Sequence, residues 1–264
     1  MAQISAQGLW KTYGEHVVLE NVNLEIADHE FVTIVGASGC GKTTFLKMLL
    51  GIEAPSRGRL LVDGEELAPE PNADRGIVFQ RYSLFPHLTV LENVLLGLDF
   101  AGSRFLGRLF GARRRHAIAM ANQLLESLGL AASKDRYPAQ LSGGMQQRLS
   151  IAQSVIRKPK ILLLDEPFGA LDPGITADLH KLILDQWSAN RMTILMITHD
   201  IKESFQLGTR LLVFDKVRHD PQAPEAYGAR VTYDLRLRSP QAGERHAVAP
   251  AIPGASATAI AAGA

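Results

Sequence analysis

The chain has 264 residues, 46% hydrophobic and 21% charged, with a formal net charge of +1. This composition excludes a disordered or collagen-like polymer and predicts one large domain, or two closely packed lobes, with a substantial core. The balanced charge excludes a global basic field for nucleic acid, the single Cys40 excludes an internal disulfide, and no stretch approaches the roughly 20 apolar residues of a membrane-spanning helix.

The opening residues MAQISAQGLWKTYG lack the charged-then-apolar pattern of a secretory signal, so the expected compartment is the cytosol. Strand-like runs follow at 4–10, 17–26, 31–35 and 59–62, the last before an Asp63-Gly64 turn, and predict a mixed or antiparallel β layer around a first helix. Between the third run and that helix lies Gly36-Ala37-Ser38-Gly39-Cys40-Gly41-Lys42-Thr43, which matches G-x-x-x-x-G-K-[ST]. Glycines let successive backbone N–H groups face one point, and the helix N-terminus adds its positive end, so the loop is expected to bind a polyphosphate. Lys42 should reach the β- and γ-phosphates, and Thr43 should ligate Mg²⁺. Cys40 fits as a small side chain, at a helix N-terminus that can lower a thiol pKa and make it reactive.

Gln80 ends a short strand at 76–79, where its amide could touch Mg²⁺ or a lytic water. Helical spacing at 90–98, 117–128 and 142–156 then marks a helical insert. Its segment 101–116 is basic and glycine-punctuated, read as a solvated loop with a contact to a partner subunit or anionic lipid as the alternative. From Lys160 strand and helix alternate: a buried strand to Asp165, a helix at 179–187, a strand at 193–198, a helix from 201 and a strand at 211–214. That alternation implies a parallel sheet. Asp165 and Glu166 end a fully apolar run, placing an Mg²⁺ ligand and a water-orienting carboxylate at the sheet edge that carries the loop. His199, after the next strand, could reach a γ-phosphate across the same edge.

Leu141-Ser142-Gly143-Gly144-Met145-Gln146-Gln147-Arg148 closely resembles the LSGGQ signature of ABC ATPases, with Met145 where that family often has Gln. Ser142 can cap the helix that follows, while Gly143 and Gly144 leave backbone N–H groups open to a second anion. The resemblance runs from about residue 4 to 215 and implies ATP and Mg²⁺ as cofactors. It further implies that Tyr13 stacks on adenine, Thr44 helps hold the α-phosphate, Gln80 is the Q-loop glutamine, Asp165 and Glu166 are the Walker B pair, Asp172 belongs to the D-loop and His199 is the switch histidine. The implied fold is α/β: a P-loop NTPase core with a mainly parallel sheet, an N-terminal antiparallel β subdomain and an inserted helical signature subdomain. The ATPase domain would occupy 1–238, with the core at about 1–86 and 159–238 and the helical part at about 87–158. Residues 239–264, rich in Ala, Gly, Pro and Ser, are expected to be disordered.

In that family the signature of one subunit closes over ATP held by the loop of a second copy, head to tail. Permease subunits would dock near Gln80–Pro86, and a periplasmic or extracellular substrate-binding protein would complete the complex at the cytoplasmic face of the inner membrane. Residues 80–86 and 211–215 look similar to importers of the nitrate, sulfonate and taurine type, and 213–221 to ATPases accompanying urea-carboxylase-like enzymes. A small polar solute or nitrogen compound is the implied cargo. An exporter ATPase is the alternative within transport. A chromosome or DNA-repair ATPase is disfavoured because about a hundred residues separate loop and signature, too few for a long coiled coil. A translation-associated member is disfavoured because one loop and one signature are present.

Overall fold

Alternating buried residues, Ile4 and Ala6 in the first run and Val22, Leu24 and Ile26 in the second, drive the two together as an antiparallel hairpin, β1 (Ile4–Tyr13) and β2 (His16–Ile26). β4 (Arg57–Val62) pairs on the other side of β1, and β5 (Glu65–Glu66) follows through the Asp63-Gly64 turn, giving a four-stranded sheet ordered β2-β1-β4-β5. The computed structural model describes residues 2–67, 70–80, 83–102, 109–169, 171–218, 220–223 and 225–237. The expected tail at 239–264, Ala170, and 103–108 of the basic segment lie outside them.

The second sheet has six strands in the order β10-β9-β3-β8-β7-β6. β3 (Phe31–Gly36), β7 (Ile161–Asp165) and β8 (Thr193–Ile197) form its centre and are buried along nearly their whole length, as parallel strands covered on both faces must be. β6 (Arg75–Val78) closes one side and β9 (Arg210–Asp215) flanks β3 on the other, both parallel to their neighbours. Period-two side-chain alternation splits the core in two. Leu163, Leu195 and Ile197 face α1 (Lys42–Leu50) and the antiparallel sheet, whereas Leu162, Leu164, Ile194 and Met196 face the other helices.

Those helices are α2 (Val90–Gly102), α3 (Gly111–Ser127), α4 (Gly143–Val155) and α5 (Pro173–Asn190), with α6 (Ile201–Leu207) beside β3 and β9. Thr89 and Glu92 open α2 with a reciprocal capping box: the Thr89 hydroxyl accepts from the Glu92 N–H at 3.3 Å while Glu92 Oε2 accepts from the Thr89 N–H at 2.9 Å. α3 starts six residues before the expected 117 and α5 six before the expected 179, because Pro173 sets the first helical position of α5 ahead of its first buried residue, Leu179. Among the described residues, no helix is long and apolar enough to cross a membrane.

β10 (Arg230–Arg236) lies outside the sequence-based expectation. It adds antiparallel to β9 and is tied there by Arg210, only 7% exposed, whose guanidinium donates to both Asp234 oxygens at 2.7 Å and to Glu30 at 3.0 Å. These pairs raise the Arg210 pKa, with the Asp234 hydrogen bonds the largest cause, despite burial.

Register decides where chemistry can happen. Ile34 of β3 pairs with Ile197 of β8, Asp165 of β7 with the same Ile197, and Val78 of β6 with Leu164. Four carboxyl-terminal strand ends therefore share one edge, and the loops leaving them carry residues 36–43, Gln80, Asp165-Glu166 and His199.

Candidate nucleotide site

The loop between β3 and α1 closes on Gly41, at φ 86, and an added Cβ there would meet Leu19 Cδ2 at 2.8 Å and Val18 Cγ1 at 2.9 Å. Only glycine fits, so β2 presses against the helix N-terminus and Val18 forms one wall of a cleft of about 270 Å³. Ser38, Gly39, Lys42, Thr43 and Thr44 line it, with Glu166 opposite. Lys42 is 9% exposed, and its ammonium donates to the Gly36 carbonyl at 2.7 Å and the Ala37 carbonyl at 2.8 Å. A cation held by the loop's own carbonyls sits beside the α1 N-terminus, and both favour an anion in the cleft.

At Cys40 the structure shows a small packed side chain, the first of the two readings the sequence offers. The side chain is 9% exposed, and burial pushes its pKa up, with Lys42 only partly offsetting this. The thiol is a packed side chain beneath the loop, where its sulfur lies 3.8 Å from Lys42 Nζ.

Thr43 Oγ1 lies 3.4 Å from Asp165 Oδ1. Burial raises the Asp165 pKa, opposed by the Thr43 hydrogen bond and by Lys42 and Lys47. A hydroxyl and a carboxylate at this separation are hard oxygen donors suited to a magnesium ion that keeps most of its water. Glu166 has φ 48, a left-handed conformation costing on the order of 1 kcal/mol, and its N–H is held by the Ile197 carbonyl at 3.0 Å. Its Oε2 accepts from Gln80 Nε2 at 2.9 Å and lies 3.8 Å from His199 Nδ1, so three residues far apart in the chain meet at one carboxylate. His199 is otherwise exposed.

Tyr13 ends β1 with its ring half exposed. Its hydroxyl bonds Glu53, and its pKa is pushed up to about 12 by burial and by that carboxylate. Lys11 lies 4.9 Å from the Tyr13 ring centroid and 3.3 Å from Glu53. Burial works against it, yet Tyr13, Lys11 and Lys47 together bring the Glu53 pKa below its ordinary value. Sequence reasoning did not single out Glu53, which no local pattern marks.

Leu141 to Met145 do not line the cleft. Ser142 caps α4 as expected, accepting from the Met145 N–H at 3.4 Å, and Gly143 is exposed. Gly144 differs: it is buried, and an added Cβ would come 2.6 Å from Ile175 Cγ2, so its lack of a side chain serves the packing of α4 on α5. Asp172 is the exposed N-cap of α5, its backbone carbonyl accepting from the Thr176 N–H at 3.0 Å.

Near Gln80, Arg81 and Tyr82 lie outside the described residues; Ser83 and Pro86 are exposed, Leu84 is half-buried and Phe85 is 44% exposed. Sequence reasoning also missed Asn93. Fully buried, it accepts from the Phe85 N–H at 2.9 Å and donates to the carbonyls of Phe85, Leu88 and Thr89, while Gln153 of α4 donates to it at 3.0 Å. One amide thus joins the segment after Gln80 to the signature helix.

A family model described as ABC transporter matches residues 19–169. The chain is 44% identical over 200 residues to the nitrate import ATP-binding protein NrtD of Synechocystis sp., spanning 76% of this chain and 71% of that one. It is 44% identical over 206 residues to the bicarbonate transport ATP-binding protein CmpD of the same organism, spanning 78% and 70%. To the aliphatic sulfonates import ATP-binding protein SsuB of Burkholderia ambifaria it is 42% identical over 223 residues, spanning 84% and 64%. The solved dimeric structure of MJ0796, a bacterial ABC transporter cassette, superposes with a TM-score of 0.72 at 31% identity, over 89% of this chain and 99% of that one. A second structure of that cassette, in a post-hydrolysis state bound to ADP and Pi, gives the same TM-score at 30% identity. With the P-loop, the acidic strand end and the capped signature helix in one fold, the chain belongs to the ABC transporter family, as its ATP-binding and ATP-hydrolysing cassette.

Proposed function

We propose that this chain energises import of a small polar solute through permease subunits, working as a head-to-tail dimer. The observation that carries the catalytic reading is the convergence of Gln80 and His199 on Glu166 beside the loop. The backbone N–H groups of residues 36–43 and the α1 N-terminus hold the triphosphate, and Lys42 leaves the Gly36 and Ala37 carbonyls for the β- and γ-phosphates. Thr44 contacts the α-phosphate, and Tyr13 stacks on the adenine, its ring held by Glu53. Thr43 and Asp165, with Gln80 at the rim, would hold Mg²⁺, which supplies charge neutralisation between the phosphates. Glu166 orients and polarises the attacking water, Gln80 fixes the Glu166 carboxylate, and His199 donates toward the γ-phosphate.

The separation of residues 141–145 from the cleft supports a two-chain site. Leu141, Ser142, Gly143, Gly144 and Met145 of one copy would cover the phosphate held by the other, with Asp172 at the contact between copies. Hydrolysis then removes the anion that bridges the two halves and lets them part.

The importer assignment rests on relatives named for nitrate, bicarbonate and aliphatic sulfonates. The exposed Phe85 and Pro86, braced by Asn93, suit docking of a permease at the cytoplasmic face of the inner membrane, with a substrate-binding protein on the far side. Reconstitution with a candidate permease and binding protein tests the proposal. ATP hydrolysis should rise several-fold when the liganded binding protein is added, and Glu166→Gln should lower it by about 100-fold or more with ATP binding retained. Turnover that ignores a binding protein but responds to a solute inside the vesicle would establish export instead, and unchanged hydrolysis in Glu166→Gln would remove Glu166 from catalysis.

A further inference from the structure

A buried imidazole lies between the two turns that present Glu166 and His199. His180 sits on α5, is 9% exposed, and stacks edge-on against Phe168, with ring centroids 4.7 Å apart and planes at 69°. Phe168 belongs to the turn that begins at Glu166, where the Gly169 N–H returns to the Glu166 carbonyl at 3.5 Å. On its other side His180 Nδ1 meets Gln206 Oε1 of α6 at 3.1 Å. His180 Nε2 is buried, has no hydrogen-bond partner among the described residues, and faces Glu203 Oε1 at 3.8 Å.

Glu203 carries the contact onward. Its second carboxylate oxygen accepts from the Thr198 hydroxyl, and that hydroxyl accepts from the Asp200 N–H at 3.0 Å. Thr198 and Asp200 flank His199, so the hydroxyl and carboxylate set the path of the backbone that carries the switch histidine. Gln206, His180 and Glu203 line a cleft of about 380 Å³ together with Phe168, Leu171 and His199, and Thr198, at the end of this chain of polar groups, is 2% exposed. Asp172 is the N-cap of α5, so the same helix that bears His180 starts at the expected contact between copies.

An unpartnered buried nitrogen costs stability, and a leucine of similar size would fill this position without that cost. A closure of about 1 Å between α5 and α6, with the Gln206 amide turned to donate to Nδ1, would let the Nε2 N–H donate to Glu203. We infer that His180 is a positioning residue for hydrolysis, acting through Glu203 and Thr198 to set His199 against Glu166 and coupling that placement to movement of α5. This rests on the assignment of His199 to the γ-phosphate.

Steady-state ATP hydrolysis by the full chain, assembled with its permease, tests it. His180→Leu should lower kcat about tenfold with KM for ATP within about twofold of the unsubstituted chain, since a misplaced group costs rate and not ground-state binding. His180→Gln, which keeps a side-chain amide facing Gln206 and Glu203, should restore most of kcat. Thr198→Val cuts the other end of the path and should lose a similar factor, and the double variant His180→Leu/Thr198→Val should lose no more than either alone. Should His180→Leu fail to fold, Thr198→Val and His180→Gln carry the same comparison. Unchanged kcat in His180→Leu or Thr198→Val, losses that multiply in the double variant, or a kcat loss that His180→Gln does not restore, each overturns the inference. His199→Ala separates the two readings: if it hydrolyses ATP normally the His199 assignment fails, whereas loss in His199→Ala with normal His180→Leu turnover defeats only the relay.

Discussion

Asp165 carries opposing demands at a single side chain. Burial raises its pKa, so holding it ionised at neutral pH costs the native state, with Thr43 and Lys42 only partly compensating. The sign follows from proton counting: the folded chain binds this proton more tightly than the unfolded chain, so the group's effect on stability worsens as pH rises from the unfolded value through the folded one. Asp165→Asn should therefore raise the melting temperature of the nucleotide-free protein, by about 2 °C or more, while Mg²⁺-dependent hydrolysis falls steeply. Calorimetry beside a turnover assay checks both, and a lowered melting temperature would contradict the account. This opposition of stability and function was hidden in the sequence, which separates Asp165 and Glu166 by role but not by burial. Their difference arises from depth in the sheet and from the left-handed backbone at Glu166.

At the scale of elements, the junction of α4 and α5 depends on Gly144. Sequence pattern assigned both signature glycines to anion binding, yet Ile175 occupies the space where a Gly144 side chain would stand. Gly144→Ala should destabilise the chain by about 1–3 kcal/mol through overpacking. In an Ile175→Ala background the same change should become neutral or stabilising by up to about 1 kcal/mol, because alanine is the better helix former. Denaturant titration of the four proteins measures this coupling, and equal effects in both backgrounds would show that Ile175 is not the obstacle. Helix-to-helix distance is invisible to a motif. By contrast, the Ser142 cap and the Thr89–Glu92 box depend on neighbours within one turn, and spacing alone identifies such positions.

At the scale of the whole molecule, the cleft and residues 141–145 belong to one chain but not to one site. With Glu166→Gln blocking turnover, ATP should drive the isolated cassette into a dimer, and Lys42→Ala should abolish that shift. Sedimentation with and without ATP decides it; a monomer under saturating ATP would count against the head-to-tail site. The six-stranded sheet holds in register the strand ends that carry these residues.

Local chemistry written in short stretches is legible in the amino-acid sequence by itself: the glycine loop, the acidic strand end, the capped signature helix, and the strand and helix alternation that sets a parallel sheet. These signals need only the fixed periods of helix and strand and a few residues of separation. The tertiary structure alone decided what depends on residues distant in the chain. Residues 230–236 pair with β9 and Asp234 with Arg210, Gln80 and His199 meet at Glu166, and burial raises the pKa values of Cys40 and Asp165. Burial and side-chain pairing are properties of the folded packing, and no window along the sequence contains them.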